Sequence, residues 1–284
     1  MHGAEPLLAL RRERNSLGDE AMAKLCPLFS GSSGNSYYLE ASGSGILIDC
    51  GRSAKQLENA LNQNNIGIGS IRAIFITHEH SDHVSGLRVF ASRYKIPVYA
   101  SPGTIQALRS GNIINEKVDI RPLTLDGIEL DNMLVEPFRI SHDCAEGYGY
   151  SVETQDGRRT CFATDTGTIT AEIKSALTGC DTLVLESNHD VGMLRFGAYP
   201  YVLKKRILSD VGHLSNELCA DTCADLVGTG TTRLLLAHLS KENNLPELAK
   251  QAALCRLKEN GMNQNVDFTL SVVPEISVGN TVIY

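Results

Sequence analysis

The chain has 284 residues, 42% hydrophobic and 21% charged, with a formal net charge of −7. It is long enough to bury a sizeable core, and no apolar run approaches the length of a membrane span. The acidic balance excludes a protein that coats nucleic acid through a wholly basic surface, while leaving room for a local basic groove.

The eight cysteines are scattered without a CxxC pair, which predicts free, mostly buried thiols in a reducing cytoplasm. Residues 1–21 read as a loose, charged leader with Met22 as an alternative start. Arg11 and Arg12 break its apolar residues and no small-residue cleavage site follows, so neither a signal peptide nor an anchor is expected. Residues 22–284 are expected to form one domain.

Lys24–Phe29 reads as a first strand, followed by the small-residue turn Ser30–Ser36. Tyr37–Ala41 and Ile46–Ile48 read as a hairpin that ends in Asp49-Cys50-Gly51. Ser53 is placed to cap a helix over Ala54–Asn64. The apolar, β-branched run from Ile71 reads as a buried strand that leads into His78, His80, Asp82 and His83. A helix over Val84–Tyr94, a strand from Pro97 to Ser101 and a helix from Pro102 to Arg109 follow.

From Val118 to Ala163 the periodicity shortens to that of strands. Leu134–Ile140 ends at His142. Tyr148–Thr154 turns at Asp156-Gly157 and returns as Thr160–Ala163, ending at Asp165. A helix over Ala171–Leu177 and a strand over Thr182–Leu185 lead to Glu186-Ser187-Asn188-His189-Asp190. A helix near Tyr201–Ser209 leads to His213, and Ser215 can cap a helix over Asn216–Leu226. Leu234–Ala237 is a strand ending at His238, Asn244–Glu259 a helix and Val266–Val273 a last strand.

Metal-type residues therefore sit just after apolar strands six times: at Asp49, His78–His83, His142, Asp165, Glu186 and His238. Neutral imidazole and carboxylate are ligands for zinc, manganese and iron alike. The alternation at 78–83 suits two neighbouring ions, with His78 and His80 facing one and Asp82 and His83 the other. Of the eight histidines only His2 lies outside these motifs.

With these residues in place, the chain resembles the metallo-β-lactamase superfamily. Its signature order matches Asp49, Thr77–His83 (T-H-E-H-S-D-H), His142, Asp165 and His238. Within it the likeness is to YycJ/WalJ-type hydrolases, on F-S-G-S-S-G-N-S (Phe29–Ser36), E-S-N-H-D (Glu186–Asp190), the stretch Tyr199–Glu217 and A-H-L-S-K-E-N-N (Ala237–Asn244). The last two also resemble elements of ribonuclease J and transfer-RNA 3′-processing enzymes. Ribonuclease J carries a large inserted RNA clamp, and about twenty residues between Asp190 and His213 leave no room for one.

The resemblance implies an α/β (α+β) four-layer αββα sandwich of two mixed sheets with helices outside. It also implies two divalent ions (Zn, Mn or Fe) that hold a hydroxide between them. One ion falls to His78, His80 and His142, the other to Asp82, His83 and His238, and Asp165 bridges. Asp82, Asp165 and His213 are the expected catalytic residues, with His213 donating to the scissile phosphate or leaving oxygen. Asp49, Glu186 and His189 are expected to support the ligands, although His189 reads equally as a structural histidine.

Lys205 and Arg206, with Lys204, either hold a substrate phosphate or form a solvated helix face. Ser33 and Asn35 either bind phosphate or simply build the turn. The implied activity is a phosphodiesterase or DNA exonuclease, with nucleic acid as partner and no membrane. Thioester, lactam or small-molecule phosphodiester hydrolysis by the same centre is the alternative enzyme class, and a regulatory protein with an inactive site the non-enzyme one.

Overall fold

Short runs of β-branched, aromatic and leucine residues build two seven-stranded sheets in this computed structural model, which describes residues 23–283. The expected leader over 1–21, the start at Met22 and His2 lie outside the described residues. Strands β1 (Lys24–Phe29), β2 (Ser36–Ala41) and β3 (Ser44–Ile48) form an antiparallel meander. Helix α1 (Ala54–Gln63) crosses over to β4 (Ile71–Phe75), parallel to β3. Helices α2 (Ser81–Val84) and α3 (Leu87–Tyr94) lead to β5 (Val98–Ala100), and α4 (Pro102–Ser110) to β6 (Ile120–Pro122).

The second sheet repeats the plan. Strands β7 (Ile128–Leu130), β8 (Met133–Arg139), β9 (Tyr148–Thr154) and β10 (Arg159–Ala163) run antiparallel. Helix α5 (Ala171–Leu177) then crosses to β11 (Thr182–Glu186). Helices α6 (Val191–Phe196), α7 (Tyr201–Ile207) and α8 (Asn216–Val227) lead to β12 (Arg233–Ala237), and α9 (Pro246–Glu259) to β13 (Thr269–Val272), all in parallel pairing. The short β14 (Val282–Ile283) returns to pair with β1 at the edge of the first sheet.

Period-two alternation sorts the strand side chains into layers. Ile46, Ile48 and Phe75 face Val135, Tyr150, Phe162 and Val184 in the cluster between the sheets. Their neighbours point outward: Leu47 and Ile74 pack with Leu57, Leu61 and Phe90 of the helices, and Leu183 and Leu185 with Ile173, Cys223 and Leu257. Strands buried on both faces need apolar residues at every position, which is why Thr182–Leu185 and Leu234–Ala237 read as continuous runs. Helices on the outer faces of two packed sheets make the four-layer αββα sandwich that the resemblance implied.

Ser53 caps α1 in a capping box with Gln56, and Ser101, Thr170 and Ser215 cap α4, α5 and α8. The helix expected over Val84–Tyr94 is instead broken at Ser85-Gly86. There the Gly86 N–H donates to Cys50 O, and a Cβ on Gly86 would lie 2.2 Å from Arg52 O. The helix expected from Asn244 starts at Pro246, because Asn244 is taken by a buried polar network. The last expected strand shrinks to Thr269–Val272, and β14 and α6 were not foreseen.

Candidate metal centre

Three site residues leave their strands in the left-handed backbone region: Asp49 (φ 65°), Asp165 (φ 58°) and His238 (φ 54°). This costs a non-glycine residue roughly 1–2 kcal/mol and persists only where the surroundings enforce it. Each of the three N–H groups is held. Asp49 N donates to Phe75 O at 2.9 Å, Asp165 N to Glu186 Oε2 at 2.7 Å and His238 N to Ser30 Oγ at 2.8 Å. The kink turns each side chain off the end of its strand and into one edge of the sandwich.

The histidine-rich loop is clamped by its neighbours. Asn35 N donates to Asp82 O, Gly51 N to Asn35 O and Cys50 N to His83 O, each at 2.8 Å. A Cβ on Gly51 would lie 1.8 Å from Asp82 O, so this close approach requires glycine. His80 precedes the first turn of α2, which carries Asp82 and His83 inward, while His142 arrives from the loop after β8.

Behind the rings, polar partners fix which nitrogen faces the cleft. Asp49 accepts from Thr77 N and Thr77 Oγ1, each at 2.8 Å. His83 Nδ1 lies 2.7 Å from Asp49 Oδ2, and His78 Nδ1 lies 3.0 Å from Thr77 Oγ1. His142 Nδ1 donates to Gly212 O at 3.0 Å, and His238 Nδ1 to Glu186 Oε2 at 3.1 Å. Such partners set the tautomer and aim the opposite nitrogen at an ion.

The aimed atoms converge. Ligand atoms of His78, His80 and His142 lie within 4.8 Å of one another, and so do those of Asp82, His83, Asp165 and His238. Asp165 lies between the groups, with Oδ2 3.1 Å from His83 Nε2, and Oδ1 3.5 Å from His238 Nε2 and 3.9 Å from His142 Nε2. The His83 contact is not in line for a hydrogen bond, so Asp165 Oδ2, like His78 Nε2, is a buried atom without a hydrogen-bond partner. Buried electron-rich atoms that face one another without donors between them fit a divalent cation.

The electrostatics agree. Burial lowers the pKa of His78 and His142, leaving neutral rings with free lone pairs. Burial also opposes charge on His83 and His238, yet Asp165 and the adjoining carboxylates raise both, His238 to about 10. Burial would raise Asp82 and Asp165, but the neighbouring histidines hold both below the usual carboxylate range. The carboxylates thus demand positive charge, which protons or metal ions can supply.

A third grouping of Asp165, Glu186, His213 and His238 is also close-set, but here Glu186 is already satisfied. It accepts from Asp165 N (2.7 Å), Leu214 N (2.8 Å) and the Nδ1 atoms of His213 and His238 (3.1 Å each). Three of these donors meet at Oε2 and Leu214 N takes Oε1, so the carboxylate is committed to orienting its neighbours. His213 lines a cleft of about 230 Å³ together with His80, Asp82, His142, Asp165 and His238. Glu186 and Asp165 raise its pKa against the effect of burial.

The remaining expected residues are placed differently. Arg206 lines the cleft but is paired with Asp143, Nη2 to Oδ1 at 2.8 Å. Lys205 does not line the cleft, because Leu203, Arg206 and Ile207 take the inward helical positions. Ser33 Oγ is held between Arg52 and Glu275, and Ser32 lines the cleft in its place. Asn35 is fully buried, bonded to Gly31 and 3.1 Å from His83 Nε2, so it builds the turn and faces the ligands. His189 supports only through its backbone, where Asn216 N donates to its carbonyl, and both ring nitrogens lack partners among the described residues.

Thr77, Ser30 and Tyr199 were missed. Thr77 stood inside the T-H-E-H motif, and its hydroxyl beside two histidines was the available signal. Ser30 and Tyr199 reach the site only through the fold.

Residues 45–239 match the beta-lactamase superfamily domain. The chain is 40% identical over 245 residues to the exodeoxyribonuclease YycJ of Bacillus anthracis, covering 86% of this chain and 92% of that protein. It is 38% identical over 245 residues to the exodeoxyribonuclease WalJ of Streptococcus pneumoniae, covering 85% and 90%. The solved metallo-beta-lactamase fold protein YhfI from Bacillus subtilis superposes with a TM-score of 0.69 over 93% of this chain and all of that one. At 14% identity it bears on the fold alone. The chain belongs to the beta-lactamase superfamily of metallo-β-lactamase fold, in the company of the YycJ/WalJ exodeoxyribonucleases.

Proposed function

We propose that this chain is a metal-dependent phosphodiesterase that degrades nucleic acid from an end, with DNA as its substrate. Residues 22–284 act as one catalytic domain in the cytoplasm, in keeping with eight free cysteines. His78, His80 and His142 would hold one divalent ion and Asp82, His83 and His238 a second, with Asp165 shared; zinc, manganese and iron all suit this donor set. When bound, such ions activate water as a nucleophile and polarise the phosphoryl oxygen.

The observation that carries the reading is that both ligand groups open on one cleft whose wall bears His213, anchored through Nδ1 on Glu186. When protonated, an imidazole so anchored beside the ligands can donate to a phosphate oxygen or to the departing sugar oxygen. Hydrolysis of a thioester, whose thiolate departs without a proton, has no need of that donor. The names of the relatives that share about 40% of the sequence support the choice of DNA.

The test is an assay of metal-reconstituted protein against labelled single- and double-stranded DNA, RNA, a chromogenic phosphodiester, a thioester and a lactam. Mononucleotide release from DNA ends is expected. Turnover of the thioester or lactam without any phosphodiester cleavage would overturn the reading.

A further inference from the structure

Between Asp190 and Asp210 the chain carries four cations (Arg195, Lys204, Lys205 and Arg206), three aromatics (Phe196, Tyr199 and Tyr201) and no acidic residue, in a protein of net charge −7. Aromatic side chains are otherwise kept inside: among the described residues only Phe196, at 91% exposure, and Tyr201, at 75%, stand in solvent. Val202 beside them is 79% exposed. The segment is nevertheless anchored. Asp190 caps α6, and the Lys204 ammonium donates to Arg195 O at 2.9 Å and Gly197 O at 2.6 Å. The exposed side chains of Arg195 and Lys205 make no hydrogen bond or ion pair among the described residues. The same segment supplies Tyr199, Leu203, Arg206 and Ile207 to the wall of the cleft.

Resting on the nucleic-acid reading above, we propose that Arg195–Arg206 is a platform for single-stranded nucleic acid that leads the strand into the metal centre. Exposed rings gain by stacking on bases, and only an unpaired strand offers free base faces. Cations flanking the rings, Arg195 just before Phe196 and Lys205 one helical turn after Tyr201, attract the phosphates, which explains why positive charge is concentrated here on an otherwise acidic chain. Continuity with the cleft gives the strand its direction: bases on Phe196 and Tyr201, then past Tyr199 to the ligands.

The experiment uses the full-length, metal-reconstituted protein, a short labelled single strand, its duplex and a nitrophenyl phosphodiester. Replacing Phe196→Ala and Tyr201→Ala together removes two solvent-exposed rings, so folding is not at stake. The expected result is a KM for the single strand raised about tenfold or more, with the small diester cleaved as before. Arg195→Ala with Lys205→Ala is expected to lower the salt dependence of single-strand binding by about 0.7 per cation in log–log slope.

An unchanged KM in an enzyme that degrades the strand would overturn the platform alone. So would an unchanged KM accompanied by a shift from dimer to monomer in sedimentation, which would assign the face to contact between copies. A wild-type protein that cleaves the diester but no nucleic acid would overturn the nucleic-acid reading, and the platform with it.

Discussion

His83 Nδ1 lies 2.7 Å from Asp49 Oδ2, and neither side chain is more than 1% exposed. Asp49 also takes both donors of Thr77, so its carboxylate is committed to orientation. The pair ties the end of β3 to helix α2 and turns His83 Nε2 toward Asp165, which follows β10 of the second sheet. Metal affinity should therefore depend on a residue that does not face the cleft. Asp49→Asn is expected to weaken divalent-ion binding by about 10–100-fold, measured by competition with a chromophoric chelator. Native affinity in this variant would show that His83 is held by packing alone.

Asp165 touches the nitrogens of both ligand groups, so its removal should empty the site. Asp165→Ala and Asp82→Ala are expected to abolish hydrolysis and to lower metal content below that of the wild type, read by elemental analysis after saturation. Both purified apo proteins should keep a cooperative melt, because the carboxylates bear on the site and not on the core. Loss of that melt would make the metal structural.

The polar stretches after β11 and β12 have a structural use. Asn216 and Asn244 exchange amide hydrogen bonds at 2.9 Å, Ser187 Oγ donates to Asn216 Oδ1 at 2.7 Å, and Asn244 Nδ2 donates to Ser187 O at 2.8 Å. Ser187 after β11, Asn216 at the start of α8 and Asn244 after β12 are thus joined in a buried knot. Asn216→Ala leaves several of these groups unpaired, and stability is expected to fall by about 1–3 kcal/mol. Urea unfolding of the apo protein measures it. A change below about 0.5 kcal/mol would mean that water replaces the amide.

The candidate site was legible in the sequence because its residues follow apolar strands, and a parallel sheet carries the ends of such strands to one edge. Asp49, His78, Asp165 and His238 were readable in this way, strand by strand. The pairing of the two sheets was not, since nothing local in β3 or β10 states that Asp49 and Asp165 will meet. Resemblance supplied that step.

Residues serving through their backbone or through a distant partner were also hidden. Ser30 bonds His238 across 208 positions, and the break at Gly86 depends on the path of Arg52. Lys205 and Arg206 read alike as neighbours in a basic triplet. Only the helical turn distinguishes the one in the cleft from the one in solvent.

The central claim is phosphodiester chemistry at a metal centre, with His213 as donor and Glu186 as its anchor. The most direct measurement compares His213→Ala with wild type on DNA and on a nitrophenyl phosphodiester, with metal content checked in both. Metal content should match the wild type, and kcat on DNA should fall by about 10²–10³-fold. The nitrophenyl substrate, whose leaving group needs no proton, should lose much less. Full activity of the metal-loaded variant on both substrates would contradict the account.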